Sequence, residues 1–88
     1  MQSYSVVIPA YNEEGVISEV LGQILALKGV ELEVIVVNDF SSDKTALEAK
    51  KHPVMVISNV QNFGYGYSLK TGILAAQNEH IIILDADG

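Results

Sequence analysis

The chain has 88 residues, 49% of them apolar and 18% charged, a globular composition that excludes a disordered or fibrous polypeptide. Five basic residues, all lysine, stand against eleven acidic ones, and the resulting net charge of −6 argues against nonspecific nucleic-acid binding, which rests on neutralising phosphates. There is no cysteine, hence no disulfide frame or thiolate zinc site, and no apolar run approaches the roughly 20 residues that cross a bilayer.

Tyr4-Ser5-Val6-Val7-Ile8 is a β-branched apolar run, and Pro9, which cannot donate a ladder hydrogen bond, is expected to close this first strand. Asn12 then reads as a helix N-cap, with Glu13 and Glu14 in the first turn where the helix dipole favours negative charge. Val16, Ile17, Val20, Leu21, Ile24, Leu25 and Leu27 recur at the three-and-four spacing of a helix laid on a sheet, and Lys28-Gly29 supplies the stop. Substituting Val20 by Asp is expected to unfold that helix. Leu32-Glu33-Val34-Ile35-Val36-Val37 is a second strand, apolar at its centre as strands covered on both faces are, and it delivers Asn38-Asp39 to its carboxyl end.

Ser41, Ser42 and Asp43 offer capping oxygens for a short helix through Lys51, and Pro53 bars its continuation. Val54-Met55-Val56-Ile57-Ser58 is the third strand. Gly64 and Gly66 then introduce a helix carrying Leu69, Ile73, Leu74 and Ala76, before a fourth strand from Ile81 to Leu84. This β-α-β-α-β-α-β alternation, with helix-length connections, predicts an α/β fold: a four-stranded parallel sheet, right-handed crossovers and helices on both faces. In such sheets ligands bind beyond the carboxyl ends of the strands, near the point where strand order reverses. Pro9-Ala10-Tyr11-Asn12-Glu13, Asn38-Asp39 and Asp85-Ala86-Asp87 stand at three of those ends and are expected to converge on one crevice.

The last of these carries the sharpest chemistry. Ile81-Ile82-Ile83-Leu84 delivers Asp85 and Asp87, two carboxylates two residues apart, at the mouth of a strand. A hard cation such as Mg²⁺ is held by one or two carboxylates together with substrate phosphates, so the pair suggests a diphosphate site; the plain alternative is two solvated turn aspartates. Asp39 can accept from a base N–H or a ribose hydroxyl, or simply begin the Asp-Phe-Ser-Ser turn. Asn62 through Gly72 contains Gly64, Lys70 and Thr71 of a phosphate loop, but Leu69 stands where the second glycine must admit phosphate, and the same Leu69 spoils a dinucleotide fingerprint. Lys70 can approach a diphosphate from the helix, or be a solvated lysine. Tyr65 and Tyr67 can flank a ligand, or pack locally. His52 and His80 lie at no metal spacing.

Taken together, Val6 through Glu14, Val36 through Thr45, Asn62 through Gly72 and Leu84 through Gly88 resemble the family-2 nucleotide-sugar glycosyltransferases of the Rossmann-like GT-A fold. Within that family, Gly64-Tyr65-Gly66, Leu69-Lys70-Thr71-Gly72 and Asp85-Ala86-Asp87-Gly88 look most like transferases that use a polyprenyl-phosphate acceptor, such as dolichol-phosphate mannosyltransferase. The resemblance implies that residues 1–88 form one nucleotide-sugar-binding domain, the N-terminal donor-binding part of a larger metal-dependent inverting enzyme and inactive alone. Pro9, Ala10, Tyr11 and Glu13 would wall the nucleoside pocket, and Asp39 would contact base or ribose. Asp85 and Asp87, with Ala86 between them, would form the family's Asp-x-Asp pair, which engages ribose and Mg²⁺ or Mn²⁺, while Lys70 would face the donor.

The implied partners are a nucleotide-diphosphate-sugar donor and a polyprenyl-phosphate acceptor at a membrane surface, with no nucleic acid. The absence of cysteine suits a reducing cytoplasm, and a longer protein is expected at the inner face of the membrane. The catalytic base is expected downstream of Gly88. One departure is Phe40, where the family usually has glycine; a positive φ there would strain a phenylalanine. Two other readings stand beside this one. Ile-Ile-Leu-Asp-Ala-Asp-Gly imitates the nucleophile strand of haloacid-dehalogenase phosphatases, and the sheet could serve a noncatalytic nucleotide-binding or assembly module. An edge left uncovered after the fourth strand would favour self-association.

Overall fold

A computed structural model describes residues 2–86 of the chain, in which strand and helix alternate: β1 (Ser3–Ala10), α1 (Ile17–Leu25), β2 (Glu31–Asn38), α2 (Thr45–Ala49), β3 (Met55–Ser58), α3 (Tyr65–Ala75) and β4 (His80–Ile83). The four strands form one sheet in the order β3-β2-β1-β4, every pair parallel. The chain therefore steps outward from β1 to β2 and β3, then returns to the other side of β1. That reversal creates a switch point between β1 and β4 at the carboxyl edge.

The period-two alternation of β1 and β2 decides which helix covers which face. Val6, Ile8, Ala10, Val34 and Val36 pack with Ile17, Leu21 and Ile24 of α1 and Ala49 of α2. The intervening Val7 and Val37 meet α3, where Gly72 lies so close that a Cβ on it would fall 2.3 Å from Val7 Cγ1. Only a residue without a side chain lets α3 approach the sheet at that point. Two helices thus cover one face and one covers the other, as the helix-length connections predicted.

Several boundaries differ from expectation for identifiable reasons. Pro9 lies inside β1, which continues to Ala10. Leu84 N donates to Val7 O at 3.1 Å, so Pro9, two residues on, faces the same side beyond the end of β4, and its missing N–H interrupts no rung. Asn12 is not a helix N-cap. It takes φ 54°, in the left-handed region, and α1 starts five residues later at Ile17, after a turn in which Val16 N and Ile17 N donate to Glu13 O. Leu27 falls outside α1 and is exposed, and Val20 is half-buried, so the helix rests on the fully buried Ile17 and Leu21 rather than on Val20. The short helix α2 stops at Ala49, ahead of Lys51.

β4 borders β1 on one side, and no strand among the described residues pairs its other side. Ile82, Ile83 and Leu84 there are between 37% and 44% exposed, which leaves an apolar rim along this edge. Among the described residues no helix is long and apolar enough to cross a membrane.

Candidate functional site

The carboxyl ends of β1, β2 and β4 do converge. A cleft of about 400 Å³ opens there, lined by Pro9, Ala10, Tyr11 and Glu13 after β1, Asp39 after β2, Asn62, Gly64, Tyr65 and Ser68 around the start of α3, and Asp85 and Ala86 after β4. Strand ends supply the floor because parallel strands terminate together, and the switch point supplies the opening.

Asp39 is the most constrained group in this cleft. It is 5% exposed, and its amide donates to Ala10 O at 2.9 Å, which ties the end of β2 to the end of β1. Oδ1 accepts from Asn59 Nδ2 at 2.9 Å and from Phe63 N at 2.8 Å, and Oδ2 accepts from Gly64 N at 2.9 Å. Burial pushes the carboxyl pKa up, but these three donors together outweigh it and hold the group below the usual carboxylate range. Asp39 is thus an anion that anchors the segment leading into α3. The turn that was the plain alternative for Asp39 is built on Asn38, whose Oδ1 accepts from Ser41 N at 3.2 Å.

A second set of bonds stitches the loop after β1 to the loop after β2. Asn12 N donates to Ser41 Oγ at 3.0 Å and Asn12 Oδ1 accepts from Ser42 N at 2.9 Å. Glu13 N donates to Thr45 Oγ1 at 2.8 Å, and Glu14 N to Asp43 Oδ2 at 3.3 Å. Asp43 Oδ1 accepts from Thr45 N at 3.0 Å, a local turn ahead of the N-cap position Lys44, which has no side-chain cap, while Ser41 and Ser42 are used by Asn12. Partial desolvation raises the Asp43 pKa, and the hydrogen bonds from Thr45 and Glu14 more than reverse it. Phe40 has φ 58°, the positive value that the sequence flagged as costly, and the loop around Asp39 nonetheless keeps its full set of bonds.

On the β4 side the arrangement is looser. Asp85 is exposed, and Oδ1 accepts from the Tyr65 hydroxyl at 3.3 Å. Partial desolvation, then the charge of Asp85 and the hydrogen bond to it, raise the Tyr65 phenol above its ordinary pKa. Asp87, the second member of the acidic pair, lies outside the described residues. Among those residues no cluster of three or more His, Cys, Asp or Glu could cage a metal. One exposed carboxylate facing a cleft still suits a divalent cation that takes its other ligands from water and phosphate.

Lys70 is exposed and is not among the residues lining the cleft. Ser68 and Gly72 turn α3 toward the sheet, and Lys70, two positions from each, falls on the opposite side of a helix that advances about 100° per residue. The two tyrosines divide for the same reason. Tyr65 lines the cleft, while Tyr67 packs on Phe63 with ring centroids 4.3 Å apart. Asn59, Asn62 and Ser68 received no role of their own in the sequence reading, although Asn62 and Ser68 lie in the glycine-rich segment it singled out. Asn59 stands directly after β3, the one strand end not expected to contribute, and it donates to both Asp39 and Ser68.

Comparison with known proteins agrees with this geometry. The chain is 36% identical over 99 residues to the dolichyl-phosphate β-glucosyltransferase of Drosophila melanogaster, an alignment covering 96% of this chain and 30% of that protein. It is 35% identical over 88 residues to the dolichol-phosphate mannosyltransferase of Pyrococcus furiosus, with 94% of this chain and 25% of that protein covered. Among solved structures, the mannosyltransferase PcManGT from Pyrobaculum calidifontis, in complex with GDP-Man and Mn²⁺, superposes with a TM-score of 0.87 at 31% identity, over 96% of this chain and 27% of that one. The chain therefore spans between a quarter and a third of the length of these relatives. The strand order, the cleft at the switch point and the acidic strand ends all lie within residues 5–88, the segment matched by the family described as Glycosyl transferase family 2, and the chain belongs to that family.

Proposed function

We propose that residues 1–88 form the donor-binding part of a glycosyltransferase that moves a sugar from a nucleotide diphosphate to an acceptor, with Mg²⁺ or Mn²⁺ as cofactor. The observation that carries this reading is the convergence of Asp39 and Asp85 on one cleft, at the carboxyl ends of strands on either side of β1. A related structure holds GDP-Man and Mn²⁺ on the same fold, which supports both the donor class and the cation.

On this reading Pro9, Ala10, Tyr11 and Glu13 wall the nucleoside. Asp39, with three donors already on its carboxylate, offers a remaining acceptor site to the base or ribose. Asp85 takes a ribose hydroxyl or shares the cation with Asp87. Cleaving the bond between sugar C1 and the diphosphate builds negative charge on the leaving group, and a bound divalent cation supplies Lewis-acid stabilisation of that charge. The chain's own contribution is twofold. Asp85 orients the donor, and Gly64 and Tyr65 at the start of α3 form part of the cleft wall, beside the Asp39 carboxylate that accepts from Gly64 N.

Inverting transfer to an alcohol needs a carboxylate base, whereas an ionised phosphate acceptor needs none. The dolichyl-phosphate and dolichol-phosphate names of two relatives favour a polyprenyl phosphate as acceptor, which would place the working protein at a membrane surface. Calorimetric titration with GDP- and UDP-sugars in the presence of Mn²⁺ tests the donor site. Saturable binding that disappears with EDTA and in Asp85→Asn is expected; absence of heat with either nucleotide would leave a noncatalytic module as the better description.

A further inference from the structure

Three carboxylates line the cleft, from Glu13, Asp39 and Asp85. The two aspartates at strand ends are held very differently: Asp39 accepts three protein donors, and Asp85 is held by a single weak contact. Asp39 is buried under three donors. Asp85 is exposed, and its one side-chain hydrogen bond among the described residues comes from the Tyr65 hydroxyl at 3.3 Å, well beyond the 2.7–2.8 Å typical of O–H···O bonds. This contact joins the first residue of α3 to the residue two positions past β4. Tyr65 and Asp85 also line both the cleft and a neighbouring cavity of about 420 Å³ bounded by Val20, Ile24, Ile83 and Leu84. The pair is therefore the partition between the two spaces.

We infer that Tyr65 is a placeholder on Asp85: in the free protein its hydroxyl occupies the acceptor position that a ribose hydroxyl or a cation takes when nucleotide binds, and donor affinity is set partly by its departure. The inference rests on the donor-site reading above. A carboxylate whose partner must leave first binds with an affinity reduced by the fraction of molecules in which it has not left. The exposed, long bond makes that reduction small, and 56% exposure of Tyr65 gives the ring open space to swing into. Tyr65 is thus a positioning residue acting through Asp85.

The test uses GDP and UDP with Mg²⁺ on the whole chain, comparing wild type with Tyr65→Phe, which keeps the ring and removes the hydroxyl. Two- to fivefold tighter binding by Tyr65→Phe, at an unchanged melting temperature, is expected. In the wild-type chain carrying ring-labelled tyrosine, the Tyr65 NMR signal is expected to shift on saturation; a signal that stays in place would overturn the inference without reference to any variant. Wild-type binding with Tyr65→Phe unchanged or weaker would overturn the placeholder alone. No binding of either nucleotide by the wild type would remove the donor site and the placeholder with it.

Discussion

The two sides of the cleft are built on opposite principles. On the β2 side Asp39 is buried, its charge is satisfied by Asn59, Phe63 and Gly64, and its loop is stitched to the loop after β1 through Asn12 and Ser41. On the β4 side Asp85 is exposed and held by one long bond to Tyr65. The contrast teaches that two acidic residues at equivalent strand ends need not do equivalent work. A carboxylate that accepts three protein donors organises the scaffold and gives the site a fixed wall. A carboxylate left nearly bare keeps its acceptor capacity for something that arrives from solution.

Alanine substitution should separate the two most clearly. Asp39→Ala strips the acceptor from two backbone amides and from Asn59 at once, and loss of bonds to a charged group in a buried setting is expected to destabilise the fold by about 3 kcal/mol. Asp85→Ala removes an exposed group and should change stability by less than about 0.5 kcal/mol while abolishing cation-dependent nucleotide binding. Urea unfolding of both variants is the measurement. Equal losses from the two would erase the distinction between an organising and a receiving carboxylate.

That distinction was only half legible in the sequence. The β-α repeat, the apolar centres of β1 and β2 and the polar residues after three strands were enough to place Asp39 and Asp85 at one edge, because parallel connectivity puts all carboxyl ends together. Nothing local to Asp39 indicates that its donors come from Asn59, Phe63 and Gly64, which lie 20 to 25 residues away. Asn12 was misread for a related reason. An asparagine before two glutamates fits an N-cap and a left-handed turn equally well, and only the approach of Ser41 and Ser42 from the next loop selects the turn. The different fates of Tyr65 and Tyr67 depend on where α3 begins, since residues two apart on a helix diverge by about 200°.

Acidification offers a finer probe of the β2 side. Folding lowers the pKa of Asp39, so around its ordinary value of about 3.9 the unfolded chain binds more protons than the native one. The associated stability is fully present above that range and is lost as pH falls through the lowered native value. Asp43 and Glu48 are shifted in the same direction and contribute to the same acid limb. Asp39→Asn lacks the titrating group, so it should be less stable than wild type at pH 7, and the gap should narrow as pH drops from about 5 to 3. Urea midpoints across that range report it. A gap that stays constant would mean that Asp39 interacts equally with its surroundings in the folded and unfolded chains.

The smallest effect concerns what the ordered side costs. Asn12 and Phe40 both have positive φ, at 54° and 58°, in loops that face one another. Asn12 offsets that conformation by accepting from Ser42 through its side chain, as asparagine in the left-handed region often does. Phe40 has no comparable polar group and is 56% exposed, so its ring recovers little by burial. A left-handed residue with a Cβ costs roughly 1–2 kcal/mol, and asparagine relieves part of this without the added unfolded-state freedom of glycine. Phe40→Asn should therefore stabilise the chain by about 0.5 kcal/mol, seen as a higher urea midpoint at an unchanged slope, with nucleotide binding retained. A lower midpoint would show that the half-exposed ring holds the Asp39 loop by packing, and that the fixed wall depends on Phe40 as well as on the three donors to Asp39.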